Sequence, residues 1–132
     1  MYTINDVAKI FAISPHTLRF YAKKALFPNI TRNEQNVRLF TDKDLEYVEM
    51  VLALRHTGMS LNAIKTYIDL CALGDQSVSK RLTIIETELE NAEIKLTDSM
   101  HQRDVLARKL DYYHEALANG EKNIVWGTNK LH

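Results

Sequence analysis

The side chains best able to bind an anion are concentrated near the N-terminus. Residues 1–40 hold six lysines and arginines but only two acidic residues, although the whole sequence has no formal net charge. A basic segment on an otherwise acidic chain is typical of a protein that places one region against a polyanion such as nucleic acid, although solvated surface charge gives the same pattern. The cations are Lys9, Arg19, Lys23, Lys24, Arg32 and Arg38.

Other kinds of chemistry are poorly represented. Cys71 is the only cysteine, which excludes an intramolecular disulfide and any metal site built on cysteine pairs. The five histidines lack an i, i+4 partner of ligand type, and no Ser/His/Asp or paired-carboxylate arrangement stands out. We therefore expect no enzyme, no metal site and no cofactor.

Length and composition favour a folded protein without a membrane segment. The 132 residues suit one domain, or a smaller domain with an extended element, and 45% hydrophobic residues suffice for a core. No run of about 18 apolar residues occurs. Because no apolar signal segment follows Met1, we expect a cytoplasmic protein with no membrane partner.

Two short helices that meet at a tight turn are expected to carry many of these cations. Apolar residues recur at helical spacing from Ile4 to Phe11. Ser14 is a typical N-cap, and Pro15 suits the first position of a second helix that runs to about Lys24. The outward face of this second helix is polar and basic, with His16, Thr17, Arg19, Lys23 and Lys24.

A small β-hairpin is predicted between Asn29 and Phe40. Its centre is polar, and Gln35-Asn36 suits the turn because asparagine tolerates a positive φ. Arg32 and Arg38 flank the tip, where cations are expected if the hairpin straddles a phosphate backbone.

Two further helices follow the hairpin. Thr41 and Asp44 form a capping-box pattern that opens a helix ending at Gly58. Ser60 caps the next helix, whose buried stripe is predicted to be Leu61, Ile64, Ile68 and Cys71. Gly74 ends the compact part.

The remaining segment has the pattern of a long dimerising helix. A seven-residue register contains Leu82, Leu89, Leu96, Leu110 and Leu117, and the positions three residues later contain Ile85, Ala92, Ser99, Leu106 and Tyr113. Arg103 interrupts the first series, and Ser99 is a polar residue in the second. Such a polar break either fixes the register or orientation of the paired helices, or has no functional consequence because the arginine side chain extends to solvent. A helix from Val78 to Leu117 is about 60 Å long and needs another chain to cover it.

The predicted fold class is therefore mainly α, with a winged helix-turn-helix head, a small hairpin wing and a long C-terminal dimerisation helix. We expect a DNA-binding domain at residues 1–74, a coiled-coil helix at 75–118 and a tail at 119–132. In the tail, Ile124, Val125 and Trp126 are expected to dock.

Three segments in this order resemble the MerR family of bacterial transcriptional regulators. Ile4–Lys9 continuing through Ile13–Tyr21 is similar to the family's helix-turn-helix, and Arg32–Thr41 to its wing. Gly58–Ile64 is similar to its second wing. The resemblance covers the first 74 residues and implies a short member without a separate effector-binding domain.

The resemblance implies a homodimer whose long helices pair antiparallel and whose heads read an inverted repeat in a promoter. It further implies that the DNA is bent or untwisted for RNA polymerase in response to an inducer. A small molecule between the head and the partner's long helix, with Tyr113 and Trp126 as wall residues, is one candidate inducer.

Site residues follow from this docking. Arg19 and Tyr21 are placed on or beside the exposed face, where Arg19 can reach a base or a phosphate and Tyr21 a phosphate. His16 and Thr17 are placed near the N-terminus of the helix, which usually points into the major groove, and are expected to read bases. Phosphate contacts are expected from Thr3, Lys24, Arg32 and Arg38. The dimerisation residues are Leu82, Ile85, Leu89, Leu96, Leu106, Leu110, Tyr113 and Leu117.

The sequence also departs from the family. Asn36 and Val37 stand where the family usually has Gly and Tyr. The groove or phosphate contact expected from the family's tyrosine is therefore not assigned to Val37. Metal-sensing members have cysteines near both ends of the long helix, and a thiol-sensing subgroup has one near Ala53; this chain has none there. Cys71 is interpreted as a small buried hydrophobe, with redox sensing as the second interpretation.

Two other functions are compatible with the sequence. An architectural or excision factor would share the DNA-binding head, but the long helix argues against it. A helical adaptor would use the apolar stripe for a different protein, and its basic head would be incidental. Salt dependence separates them, because only DNA binding should weaken steeply as salt rises.

Overall fold

Helices dominate the structure, a computed structural model that describes residues 1–120. The strands are β1 (Tyr2–Thr3), β2 (Thr31–Arg32) and β3 (Arg38–Phe40), and the helices are α1 (Ile4–Phe11), α2 (Pro15–Lys23), α3 (Asp42–His56), α4 (Leu61–Ala72) and α5 (Val78–Ala118), with a 3-10 turn at Gly74–Ser77 before α5. The predicted fold class is confirmed. The tail residues expected to dock, Ile124, Val125 and Trp126, lie outside the described residues.

The helix-turn-helix forms because both of its helices are capped by local side chains. The hydroxyl of Thr3 accepts the backbone N–H of Asp6, and the Asp6 carboxylate accepts the N–H of Thr3. Hydrogen bonds to the Asp6 carboxylate, from the Thr3 backbone first and then from the Thr3 side chain, hold the pKa of Asp6 below its ordinary value. Ala12 closes α1 with φ 54°, and Ser14 caps α2 through the N–H of Thr17.

The hairpin is part of a three-stranded antiparallel sheet of order β1-β3-β2. Its tip turns at Asn36, whose φ of 62° lies in the left-handed region that asparagine tolerates. The side-chain oxygen of Asn33 accepts the N–H groups of Gln35 and Val37, which fixes the turn. The predicted hairpin is thus present, and β1 adds a strand that was not predicted.

The predicted capping box at the start of α3 is confirmed, and its acidic member is buried. The carboxyl group of Asp44 is fully buried and accepts both the backbone N–H (2.8 Å) and the hydroxyl (3.0 Å) of Thr41. Its second oxygen, Asp44 Oδ1, has no hydrogen-bond partner within the described residues. Thr41 therefore donates both of these hydrogen bonds to the buried carboxyl group of Asp44.

Replacing Thr41 by alanine should lower the free energy of unfolding by about 2 kcal/mol, because both a helix cap and a donor to a buried carboxyl group are lost. Thr3→Ala breaks the equivalent box at the exposed Asp6, where water can replace the lost donor, and should cost less. Urea unfolding of both variants measures the difference. Equal losses would show that burial of Asp44 adds nothing.

The core of the head lies between α1–α4 and the sheet. Ile64 and Ile68 of α4 are fully buried, and Leu61 and Cys71 pack against the same core, so the predicted stripe is confirmed. The first compact unit is Met1–Glu88. It includes the first residues of α5, which a boundary at residue 74 leaves out, because Ile84 packs against the head. The second unit begins at Leu89.

Candidate nucleic-acid interface

Four of the predicted DNA-binding residues meet in one cleft beside the hairpin. Thr3 is on β1, Arg19 on α2, and Arg32 and Arg38 are on the two strands of the hairpin. The cleft, here the wing cleft, has a volume of about 240 Å³ and is lined by Thr3, Ile4, Asn5, Arg19, Arg32, Asn36, Val37 and Arg38. Residues far apart in the sequence thus converge on one cleft.

The wing cleft carries positive charge that the described part of the chain does not neutralise. None of its three arginines forms an ion pair with an acidic residue among those described. Partial burial, and then the charges of Arg32 and Arg19, lower the pKa of Arg38 from its ordinary value. A guanidinium stays protonated under such conditions. Three unpaired guanidinium groups around one cleft favour a bound anion such as a phosphate.

Arg32 also has a structural contact at the tip of the hairpin. Its Nη1 donates to the carbonyl oxygen of Asn36 at 3.0 Å, which ties the strand to the turn. Arg38 pairs with Arg32 across the two strands. The wing therefore presents two guanidinium groups side by side, one of them held by the turn.

A second cleft lies on the other side of α2 and contains His16 and Thr17, the residues predicted to read bases. This helix cleft has a volume of about 310 Å³ and is lined by His16, Thr17, Phe20, Tyr21, Arg55 and Leu61. The structure thus separates His16 and Thr17 from Arg19. His16 is exposed and Thr17 is half-buried in the first turn of α2, and their contact with bases stays a prediction.

The expected placement of Tyr21 is corrected. The residue is only 8% exposed and belongs to the hydrophobic core of the head. Tyr21 follows Leu18 by three residues, and helical periodicity turns both toward the core. Part of Tyr21 still lines the helix cleft. Its DNA contact stays a prediction for that part alone.

A third cleft contains Lys24 and residues that sequence reasoning missed. It has a volume of about 500 Å³ and is lined by Phe20, Lys24, Arg55, Gly58, Ser60, Leu61, Asn62 and Lys65. We call it the second-wing cleft because Gly58–Ile64 was predicted as the second wing. Arg55 donates to the carbonyl oxygen of Met59 at 3.3 Å. Arg55 and Lys65 are separate cations on different helices, and only the packing of α3 and α4 against α2 reveals their common position.

The predicted dimerisation residues form an apolar seam on α5. Seven of them are exposed by 38% to 70%, namely Leu82, Ile85, Leu89, Leu96, Leu106, Leu110 and Leu117. Tyr113 is half-buried. A row of exposed leucines is unusual for the free surface of a monomer and is typical of a helix that pairs with another.

Cys71 is a free, half-buried thiol that packs against the core of the head. This position agrees with its interpretation as a small hydrophobe; redox sensing stays a prediction. Within residues 1–120, no group of three or more His, Cys, Asp or Glu could hold a metal ion. No helix of that part is both long and apolar enough to cross a membrane.

Comparisons with known proteins identify the family to which the chain belongs. The family described as "MerR HTH family regulatory protein" matches residues 2–71. An HTH-type transcriptional regulator of Haemophilus influenzae is 37% identical over 124 residues, covering 94% of this chain and 92% of that protein. The crystal structure of HiNmlR, "a MerR family regulator lacking the sensor domain, bound to promoter DNA", matches with a TM-score of 0.73 and 38% identity, covering 91% of this chain and 95% of that chain. A MerR family regulator from Bacillus thuringiensis matches with a TM-score of 0.70 and 34% identity, covering 85% and 98%. The chain therefore belongs to the MerR family of helix-turn-helix transcriptional regulators.

Proposed function

We propose that the protein is a homodimer that binds an inverted repeat in a promoter and distorts that DNA in response to an inducer. The observation that carries this proposal is the wing cleft, which Arg19, Arg32 and Arg38 line without an acidic partner among the described residues. A phosphate of the DNA backbone fits the charge of this cleft.

Docking then assigns each cleft a different part of the duplex. The exposed face of α2 enters the major groove, the wing cleft holds the backbone on one side, and Lys24 with the second-wing cleft holds it on the other. Thr3 and the arginines position the head, whereas His16 and Thr17 read bases. The match to HiNmlR, a regulator seen bound to promoter DNA, supports this docking.

The partner chain packs against the apolar seam of α5. Two copies paired through their exposed leucines carry two heads, and a two-fold protein requires a two-fold site. By family resemblance we extend the proposal to RNA polymerase, which uses the distorted promoter, and to an inducer that shifts the DNA between two shapes. Of the two wall residues suggested for an inducer, Tyr113 is half-buried, and Trp126 lies outside the described residues.

The first experiment is a footprint of the purified protein on DNA upstream of its own and neighbouring genes at two salt concentrations. A salt-sensitive, two-fold symmetric footprint between the promoter elements supports the proposal. No protection at low salt, from protein shown to be folded and dimeric, contradicts it and favours the adaptor function.

On the footprinted site, Arg38→Gln should weaken binding and flatten its salt dependence. Each dimer loses two phosphate contacts, so the slope of log K against log salt should fall by about 1.8. Arg19→Gln should act in the same direction. Lys43→Gln is the matched control, because Lys43 is an exposed cation of the head outside all three clefts. An unchanged slope for Arg38→Gln would show that Arg38 makes no phosphate contact.

A further inference from the structure

Phe20 is an aromatic residue on the outward face of α2. It is 42% exposed, whereas Phe27 and Phe40 are buried in the core of the head. His16 lies one helical turn before it and Lys24 one turn after it, so the three side chains share one face. In the proposed docking, this exposed face is turned to the major groove. Phe20 is therefore an apolar surface at the centre of a polar and basic face.

Two neighbours hold the ring of Phe20. The Nζ of Lys24 lies 5.5 Å from the centroid of the ring, which is within range of a cation–π interaction. The ring of Tyr21, which is anchored in the core, lies 6.0 Å away and tilted by 49°. Phe20 also lines both the helix cleft and the second-wing cleft. Its exposed carbon atoms are thus positioned beside cations suited to backbone phosphates.

The major-groove edges of the base pairs offer one apolar group, the 5-methyl group of thymine. Apart from the flat C–H edges of cytosine and the purines, the other groups there are hydrogen-bond donors or acceptors, which a phenyl ring would desolvate without pairing. We infer that Phe20 contacts a thymine methyl group in each half-site and so specifies thymine at that position. The inference rests on the proposed function, because it requires α2 in the major groove.

The test replaces thymine by deoxyuridine, which removes the methyl group and leaves base pairing intact. Each thymine of one half-site and its symmetric mate are replaced in turn within the footprinted site. The affinity of each duplex is then measured for the wild type, Phe20→Ala and Phe20→Leu. Ile10→Ala is the matched control, since Ile10 is an exposed apolar residue of the same head, on α1.

With the wild type, uracil at one or two positions should weaken binding about fourfold per half-site, which is roughly 15-fold for the symmetric pair. Phe20→Ala should bind thymine and uracil duplexes equally well at those positions. Phe20→Leu should keep part of the discrimination, and Ile10→Ala all of it. Unfolding midpoints near that of the wild type confirm that the variants are folded.

Two results would overturn the inference while the regulator function stands. One is a wild-type protein that binds its site in a salt-sensitive way but is indifferent to uracil at every position. The other is a Phe20→Ala variant with the same uracil dependence as the wild type, which assigns the methyl contact to another residue. Absence of any salt-sensitive footprint overturns the proposed function itself.

Discussion

Replacing Leu96 by aspartate is expected to convert the proposed dimer into monomers and to weaken promoter binding by at least about 100-fold. Leu96 is 61% exposed and lies in the middle of the heptad series of α5. In a paired seam the new carboxylate would lose its water without gaining a partner, which is strongly unfavourable. Each separated head would then bind only one half-site and lose the benefit of the linked second contact.

Ile94→Asp is the matched control for this variant. Ile94 is 55% exposed and lies on the same helix, so the substitution removes a similar aliphatic side chain and adds the same charge. Residues two positions apart on an α-helix are separated by about 200° around its axis, which places Ile94 on the face opposite Leu96. Light scattering gives the mass of each variant, and anisotropy of labelled promoter DNA gives the affinity. If Leu96→Asp stayed dimeric with unchanged affinity, the seam would not be the dimer interface.

Local chemistry explains why much of the fold could be predicted from the sequence. Ser14, Thr41 and Ser60 each cap the helix that follows them, because a short hydroxyl side chain can accept the backbone N–H three residues later. Asn36 turns the hairpin for an equally local reason. A 41-residue helix without glycine or proline is read directly from its heptads.

The unpredicted features depend on contacts between distant segments. Strand β1 has two residues, too few for an alternating pattern, and it is defined by pairing with β3. Likewise, the stretch that begins α5 reads as part of an exposed coiled coil, yet Ile84 packs against the head. In both cases the partner surface exists only after the head has folded.

The same reasoning applies to the candidate site. The basic residues of α2 and the hairpin were identified by type, but only the packed head separates them into different clefts. Arg55 sits in the last turn of α3, where an arginine is also expected for its favourable interaction with the helix dipole. Its position beside Phe20 depends on how α3 packs, and the sequence carried no signal for it.

Phe40→Ala is expected to lower the free energy of unfolding by about 3–5 kcal/mol. Phe40 is fully buried, and its ring lies 5.7 Å from that of Phe27 in an edge-to-face arrangement. A head with a total stability of about 5–15 kcal/mol would lose a large fraction of it. Urea unfolding at one fixed protein concentration measures the change, since dimerisation makes stability depend on concentration. Val37→Ala, at an exposed position three residues earlier, should change stability by less than about 0.5 kcal/mol.

The position of Phe40 also predicts how its loss affects DNA binding. It belongs to β3, the central strand of the sheet, which also carries Arg38 of the wing cleft. Loss of promoter binding by Phe40→Ala should therefore follow the unfolded fraction and recover under conditions that restore folding. Arg38→Gln should weaken binding while the unfolding midpoint stays near that of the wild type. A Phe40→Ala protein as stable as Val37→Ala would mean that the wing does not depend on this core, and the two arginines of the hairpin would then need another support.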